Sequence, residues 1–276
     1  MISVIVITKN EEKMIKACLE SVKWADEIIV YDNGSTDKTL EIAKKYTDKV
    51  FQYKQPDFAT LRNNAMEKAI GEWVLYVDAD ERVLAPLREE INSLVSFTDK
   101  SALDKVTNSA YAIPRKNIIF GTEVNYGPFQ HDWVIRLFKK ADFESWIGRV
   151  HEYGKFKGKL GYAQNFFLHL THRNIDQVVL KSLEWSKIDA NLRLEAGHPK
   201  MSGWRFLRIL FSELFYQGII RRGFFSGTIG VIDSISQTFS MFMTYIRLWQ
   251  LQQSKPTDQI YEDIDKKLLE SGFNYP

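Results

Sequence analysis

The chain has 276 residues and a mass of 32.2 kDa, enough for one large domain or for a domain with an appendage. Its hydrophobic content of 45%, charged content of 26% and net charge of +2 are ordinary for a globular protein, and this charge gives no reason to expect nucleic acid as a partner. The single cysteine, Cys18, excludes an internal disulfide and fits a reducing compartment. Met1 leads directly into the apolar run 2–7 without the basic start and cleavage site of a signal peptide, so we predict a cytoplasmic protein.

The first hundred residues alternate apolar runs with segments of helical periodicity. Strands are predicted over residues 2–7, 27–31, 50–53 and 73–77, and helices over residues 11–22, 37–46, 59–70 and 83–95. Cys18 shares the apolar stripe of the first helix with Ile15 and Leu19, so we predict a buried, structural thiol. Strands that alternate with helices through short connections predict an α/β fold with a mostly parallel sheet flanked by helices.

The pattern changes after residue 110. Residues 111–114, 118–120 and 134–139 are predicted to form short strands joined by glycine-bearing loops, and residues 175–195 to form a helix. The tail from residue 253 is polar and is predicted to contain a short terminal helix.

Residues 201–252 are predicted to form two amphipathic helices joined by residues 218–230. Each has an apolar stripe at steps of three and four residues. The basic residues of this stretch are all arginines: Arg205, Arg208, Arg221, Arg222 and Arg247. Asp233 and Gln237 argue against a membrane-spanning helix. Two roles stay open, packing on the rest of the chain or on a second copy, and the slightly favoured one, in-plane contact with an anionic membrane.

Two carboxylates, Asp78 and Asp80, follow the buried strand predicted over residues 73–77. An open α/β sheet binds its ligands outside the carboxyl ends of its strands. Carboxylate oxygens at that position suit Mg²⁺ or Mn²⁺ shared with the phosphate oxygens of a substrate. A solvated turn explains an isolated Asp-x-Asp sequence equally well, so the interpretation depends on the motifs that precede it.

Four motifs follow one another through the first hundred residues. They are Thr8-Lys9-Asn10-Glu11-Glu12, Asp32-Asn33-Gly34-Ser35-Thr36-Asp37, Arg62-Asn63-Asn64-Ala65 and Asp78-Ala79-Asp80-Glu81. In this order and spacing they resemble the family 2 glycosyltransferases, which implies the GT-A fold. Residues 134–138, 148–152 and 222–227, together with His169 and Arg173, resemble more narrowly the lipopolysaccharide inner-core glucosyltransferase group.

The resemblance implies a site for a nucleotide-diphosphate sugar. The implied contacts of the donor are Thr8, Glu11, Asp32, Arg62, Asp78 and Asp80. Asp32 would accept the imide N–H of uracil, although it could instead cap the helix that follows. Glu11 could equally be an ordinary carboxylate in the first turn of a helix. Asp80 is implied as the main ligand of Mg²⁺ or Mn²⁺, and Asp78 is a second candidate residue of the metal site, which would face the ribose or a metal-bound water.

His169 is a further candidate contact for the metal or a phosphate, and a satisfied interior histidine is its alternative role. Inversion by direct displacement needs a general base on the acceptor side and no enzyme nucleophile. Glu152 is the base that the resemblance implies, and Asp132 is the second candidate. Arginine side chains suit phosphate or carboxylate groups, and the candidate acceptor contacts, each with a structural role as its alternative, are Arg115, Arg136 and Arg149.

We therefore predict an inverting, metal-dependent glycosyltransferase that uses a UDP-hexose at the cytoplasmic face of the inner membrane. Its acceptor would be a lipid-linked or cell-envelope glycan such as lipopolysaccharide core. Transfer to polyprenyl phosphate or to a peptide or protein is an alternative, and so is a catalytically silent nucleotide-sugar binding protein. The predicted domains are a GT-A domain over residues 1–200, with a nucleotide-binding half (1–100) and an acceptor-binding half (101–200), and a helical extension over residues 201–276.

Overall fold

The computed structural model describes residues 1–53, 58–96, 108–148 and 152–274. The chain forms two compact units, Met1–His172 and Arg173–Pro276. The first unit is α/β and the second is helical. The helix predicted over residues 175–195 lies in the second unit, while the domain boundary placed near residue 200 stays a prediction.

Four strands near the N-terminus form the parallel half of the main sheet. They are β1 (Ile2–Thr8), β2 (Glu27–Asp32), β3 (Val50–Gln52) and β4 (Trp73–Asp78). Their order is β3-β2-β1-β4, with β1 between β2 and β4. Every residue of β1 is buried, as expected of a strand covered on both faces. The helices of this half are α1 (Ile15–Ser21), α2 (Thr39–Ala43), α3 (Phe58–Lys68) and α4 (Ala85–Ser96).

The rest of the sheet is mixed. Its strands are β5 (Glu81–Val83), β6 (Ala110–Ile119), β7 (Thr122–Val124), β8 (Trp133–Lys139), β11 (Leu160–Tyr162) and β12 (Phe167–Thr171). β8 lies antiparallel between β4 and β6, β12 is parallel to β6, and β5 is antiparallel to β12. β9 (Phe143–Ile147) and β10 (Tyr153–Phe156) form a separate antiparallel pair. This topology brings β5, directly after Asp80, against the strand that carries His169.

The predicted α/β class, with a mostly parallel sheet flanked by helices, is confirmed, but several element boundaries were wrong. The strands predicted over residues 111–114 and 118–120 are one continuous strand, β6. Helix α1 begins later than predicted because Ser35 and Thr39 hydroxyls bind the backbone N–H groups of Asn10 and Glu11, which fixes a turn there. Helix α2 is also shorter than predicted, since residue 39 is its first residue.

Buried apolar residues pack on both faces of the sheet. One cluster contains Cys18, Trp73 and Leu75, and the other contains Tyr76 and Phe138. The predicted burial of Cys18 is confirmed, and this burial raises the pKa of its thiol. A nucleophilic role would require the thiolate, so Cys18 is structural.

The second unit consists of four helices. They are α5 (Ile175–Glu195), α6 (Gly203–Phe215), α7 (Gly227–Leu251) and α8 (Thr257–Glu270). A π-helical turn (Tyr216–Ile220) and a 3₁₀ turn (Gly223–Phe225) join α6 to α7, so the connection ends earlier than the predicted residue 230. None of the helices in the described ranges has the length and apolarity needed to cross a membrane.

Candidate active site

Three parallel strands end in polar side chains at one edge of the sheet. Thr8 is in register with Asp32 of β2, and Ile7 is in register with Asp78 of β4. Because neighbouring strands lie about 4.8 Å apart, Asp32 and Asp78 flank the end of β1 at roughly twice that spacing. This is the carboxyl edge at which α/β folds bind ligands.

Asp78 is at the centre of a cluster of arginines and carboxylates. Arg62 Nη2 donates to Asp78 Oδ1 at 2.8 Å, and Arg136 Nη2 donates to Asp78 Oδ2. Burial by itself would raise the pKa of Asp78, but the charges of Arg136 and Arg62 outweigh it and hold that pKa well below its usual range. The Asp78 carboxylate is therefore ionised at neutral pH and held by two arginines instead of pointing into solvent.

Arg62 joins Asp78 to the predicted base. Its Nε lies 3.2 Å from Glu152 Oε1, while its Nη2 holds Asp78. The guanidinium carbon lies 5.5 Å from the ring centroid of Tyr76 and 5.0 Å from that of Trp146, so two aromatic rings help to hold the buried arginine in place. Asn63, the next residue of the motif, exchanges two hydrogen bonds with the backbone of Trp146 and so attaches α3 to β9.

A second carboxyl group, that of Glu81, is completely buried next to the same arginines. Its Oε2 accepts a hydrogen bond from Asp78 N at 2.9 Å, and its Oε1 lies 3.6 Å from both Arg115 Nη1 and Arg136 Nη2. Burial raises the pKa of Glu81, and the charge of Arg136 only partly offsets this effect.

Asp132, the second candidate for the base, is engaged on both oxygens. Arg115 donates to Asp132 Oδ2 through Nε at 3.0 Å and to Oδ1 through Nη2 at 2.7 Å. Asn117 Nδ2 donates to Asp132 Oδ2 at 2.8 Å. A forked contact of this kind is among the strongest ion pairs in proteins, so Asp132 serves here to orient Arg115 and Asn117.

The pairing of β5 with β12 brings Asp80 and His169 together. Leu170 N donates to Asp80 O at 2.9 Å, and His169 Nε2 lies 3.6 Å from Asp80 Oδ2. The other ring nitrogen, His169 Nδ1, lies 2.6 Å from Asn117 Oδ1. Across the residues that the structure describes, no three His, Cys, Asp or Glu side chains are grouped as ligands for one ion.

Asp32 organises the loop that follows β2. Its Oδ1 accepts from the backbone N–H groups of Gly34 and Ser35 at 2.9 and 2.8 Å and from Gln52 Nε2 at 3.1 Å. Its Oδ2 accepts from the Ser35 hydroxyl. These contacts hold the loop and do not cap the helix that follows, because α2 begins only at Thr39 and the Thr39 N–H binds Asp37 Oδ1. Binding of uracil by Asp32 stays a prediction.

Comparison with known proteins decides the family. The sequence model of Glycosyl transferase family 2 matches residues 3–106. An uncharacterized glycosyltransferase of Rickettsia typhi is 30% identical to this chain over 262 residues, which cover 91% of this chain and 87% of the Rickettsia protein. The chain belongs to glycosyltransferase family 2. The resemblance that the motifs predicted is therefore confirmed, and with it the GT-A fold class.

One further sequence relative and one solved structure are similar to this glycosyltransferase. The lipopolysaccharide core biosynthesis glycosyltransferase LpsC of Rhizobium meliloti is 25% identical over 259 residues, covering 90% of this chain and 92% of LpsC. Among solved structures, S. aureus TarS 1-349 in complex with UDP-GlcNAc superimposes with a TM-score of 0.45 at 16% identity, covering 86% of this chain and 80% of that one. This structural likeness is too low to transfer an activity.

Most of the site residues predicted for this glycosyltransferase lie in one connected cluster. The members joined by the contacts above are Arg62, Asp78, Asp80, Arg115, Asp132, Arg136, Glu152 and His169. Thr8 and Asp32 lie at the same edge of the sheet, and Glu11 lies in the turn before α1. Arg149 lies outside the described residues. The guanidinium groups of Arg115 and Arg136 are bound to carboxylates, so their contact with an acceptor stays a prediction.

The sequence did not reveal the part that Asn117 plays in the site. Asn117 is buried near the end of β6 and connects Asp132 to His169. It falls between the two short strands predicted for this region, in a segment that was expected to be a loop. The one available signal was the apolar pair Ile118 and Ile119, which could have continued the strand across it.

Proposed function

We propose that this glycosyltransferase transfers a hexose from a UDP-sugar, with inversion and with a divalent cation, to a lipid-linked or cell-envelope glycan such as lipopolysaccharide core. The observation that carries this proposal is the connection of Asp78 through Arg62 to Glu152 at the carboxyl edge of the sheet. It joins a candidate donor contact to a candidate base. Similarity to LpsC over most of both chains supports the choice of acceptor.

An anionic sugar donor would supply hydrogen-bond partners for several polar groups at this edge of the sheet. The buried atoms that lack a hydrogen-bond partner among the described residues include Thr8 Oγ1, Arg62 Nη1 and Arg136 Nε. Buried donors without a partner are costly and are normally satisfied in the functional state. Two of these atoms belong to arginines, whose N–H groups suit phosphate oxygens. The diphosphate of a nucleotide sugar supplies acceptors of that kind.

The residues present fit a divalent cation through Asp80 and His169. Mg²⁺ and Mn²⁺ are commonly held by one or two protein ligands together with substrate phosphates, so a protein cage of three or more ligands is not required. Asp80 Oδ2 and His169 Nε2, 3.6 Å apart, would be those protein ligands. When bound, the cation neutralises the charge that grows on the departing diphosphate. Asp78, whose oxygens are held by Arg62 and Arg136, would bind the donor without acting as a ligand of the cation.

Glu152 is better placed than Asp132 to take the proton of the acceptor hydroxyl. Both Asp132 oxygens are bound by Arg115, and Asn117 adds a further donor. In the described part of the chain, the hydrogen bond to Glu152 comes from Arg62 and reaches Oε1. A carboxylate with one oxygen held and the other available can accept a proton, and such general-base assistance contributes typically about 10²–10⁴-fold.

Donor hydrolysis and transfer distinguish this function from a silent binding protein. We expect the purified protein with Mn²⁺ to hydrolyse a UDP-hexose slowly and to transfer its sugar to a truncated lipopolysaccharide core. The panel should include polyprenyl phosphate and peptide acceptors, because transfer to either of them instead would contradict the proposed acceptor. Donor binding without any turnover, across UDP-hexoses and acceptors, would refute an enzymatic role.

The proposed location is the cytoplasmic face of the inner membrane, and α6 is the candidate contact surface. Large apolar side chains are exposed along α6 and the turns after it, with Trp204 74% and Phe225 69% exposed. Arg221 and Arg222 lie in the same turns. Exposed aromatic residues beside arginines suit the interface of an anionic bilayer.

Vesicle binding tests this surface against the alternative of a dimer. We expect the protein to co-sediment with phosphatidylglycerol vesicles more strongly than with phosphatidylcholine vesicles. Trp204→Ser should weaken the binding, and Tyr261→Ser on α8, which removes a similarly exposed aromatic residue, should not. Binding that is unchanged by Arg221→Glu and Arg222→Glu, together with a concentration-dependent dimer, would favour contact between two copies.

A further inference from the structure

Asn117 connects Asp132 to His169, the histidine that lies beside Asp80. It lies on β6, is only 1% exposed, and its side-chain amide reaches both Asp132 and His169. Asp132 is in turn fixed by the forked contact with Arg115. A buried amide whose two ends are both bonded has one orientation, so the chemistry of its partners can be assigned atom by atom.

The orientation of the amide determines where the proton of His169 lies. The Asp132 carboxylate held by Arg115 only accepts hydrogen bonds, so the Asn117 atom that faces it at 2.8 Å must be the NH₂ group. The carbonyl oxygen of Asn117 therefore faces His169 Nδ1 at 2.6 Å. A carbonyl oxygen cannot donate, so Nδ1 must carry the hydrogen. In the neutral ring, Nε2 is then left with its lone pair, and Nε2 is the nitrogen 3.6 Å from Asp80 Oδ2.

We propose that Asn117 is a positioning residue that holds His169 in the Nδ1–H tautomer and so presents Nε2, beside Asp80, as a ligand for a divalent cation. The second half of this inference rests on the cation site proposed above. A histidine that binds a metal generally donates its other ring N–H to a fixed acceptor, and loss of that acceptor typically weakens metal binding about 10–100-fold. Here the acceptor is an amide, which is itself held by Asp132.

The chain offers a matched control for the removal of an asparagine. Asn117→Leu keeps the branched shape of the side chain and removes both hydrogen bonds of the amide. Asn165 is only half-buried, but it likewise donates through Nδ2 to a carboxylate, that of Glu90 at 2.9 Å. That contact is not part of the cluster around Asp78, so Asn165→Leu tests the general effect of losing an amide–carboxylate hydrogen bond.

The first measurement is the tautomer of His169 in the full-length, metal-free protein. Long-range ¹H–¹⁵N NMR distinguishes the two ring nitrogens, and comparison with His169→Gln assigns the signal among the five histidines. We expect the wild type and Asn165→Leu to show the proton on Nδ1, and Asn117→Leu to show a population with the proton on Nε2. A wild-type ring protonated on Nε2 would overturn the inference, and this result does not depend on whether Asn117→Leu folds.

The second measurement is the affinity for Mn²⁺ in the presence of UDP, followed by electron paramagnetic resonance of the free ion. We expect Asn117→Leu to bind Mn²⁺ about 10–100-fold more weakly than the wild type, and Asn165→Leu to bind it equally well. Unchanged affinity in a folded Asn117→Leu protein would overturn the positioning role. A wild type that binds no Mn²⁺ would instead refute the cation site of the proposed function, and the tautomer would then decide the role of Asn117 alone.

Discussion

Replacing Arg136 should destabilise the first unit more than replacing any exposed cation of that unit. Arg136 is buried and lies between two carboxyl groups, with Nη2 bound to Asp78 and 3.6 Å from Glu81 Oε1. Removing one partner of a buried ion pair leaves an uncompensated charge and typically costs about 3–5 kcal/mol. Arg136→Met should therefore lower the free energy of unfolding by about 4 kcal/mol, since Arg62 still holds one oxygen of Asp78.

Thermal and urea unfolding measure this loss directly. A change of about 4 kcal/mol corresponds to a fall in Tm of roughly 8–16 °C in a protein of this size. The matched control is Lys116→Met, because Lys116, on the neighbouring strand β6, also forms an ion pair, with Glu123 at 3.0 Å, but its side chain is 38% exposed. That pair should contribute less than about 1 kcal/mol. The double variant Arg136→Met with Asp78→Asn should recover part of the loss, and equal effects of Arg136→Met and Lys116→Met would refute the reasoning.

Three further predictions concern the base, the buried carboxyl group and a close backbone contact. Glu152→Gln should reduce the rate of sugar transfer about 10²–10⁴-fold. The affinity for UDP should stay unchanged, because a glutamine can still accept a hydrogen bond from Arg62. Full activity of this variant would exclude Glu152 as the base. Glu81 has a raised pKa in the folded protein, so its own contribution to stability is full below the ordinary glutamate value of about 4.3 and is lost as the pH rises from there through the raised pKa. Urea unfolding in EDTA should therefore show Glu81→Gln gaining stability relative to the wild type over that range, and a pH-independent difference would contradict the shift. Gly71→Ala would place a Cβ 2.6 Å from the backbone nitrogen of Ser3 and should lower the free energy of unfolding by about 1–3 kcal/mol. In the same unfolding assay Gly203→Ala should be tolerated, because there is open space around the new Cβ.

The parallel half of the sheet could be predicted from sequence because each strand is a short apolar run that ends in a polar motif. The runs before Thr8, Asp32 and Asp78 are buried on both faces, so their composition alone marks them as central strands. The rule that ligands bind at the carboxyl ends of such strands then placed these three residues at one edge. Local pattern and general topology were sufficient there.

The contacts across the mixed half of the sheet could not be predicted in this way. β5 has three residues and includes two charged ones, so nothing in its sequence indicates a strand, yet its pairing with β12 brings Asp80 to His169. Arg136 reaches Asp78 because β8 runs antiparallel to β4, across 58 positions of sequence. Such pairings depend on long-range strand order, which periodicity does not encode. The resemblance to a family supplied the residues, and the structure supplied their partners.

The proposed function depends on a divalent cation that Asp80 and His169 would hold and that would complete the binding site of the nucleotide sugar. Calorimetric titration of the protein with a UDP-hexose, with and without Mn²⁺, tests it most directly. We expect binding to be strong with Mn²⁺, weak in EDTA, and equally weak under both conditions in Asp80→Asn. Donor binding of the same affinity with and without Mn²⁺, unchanged in Asp80→Asn, would contradict the claim.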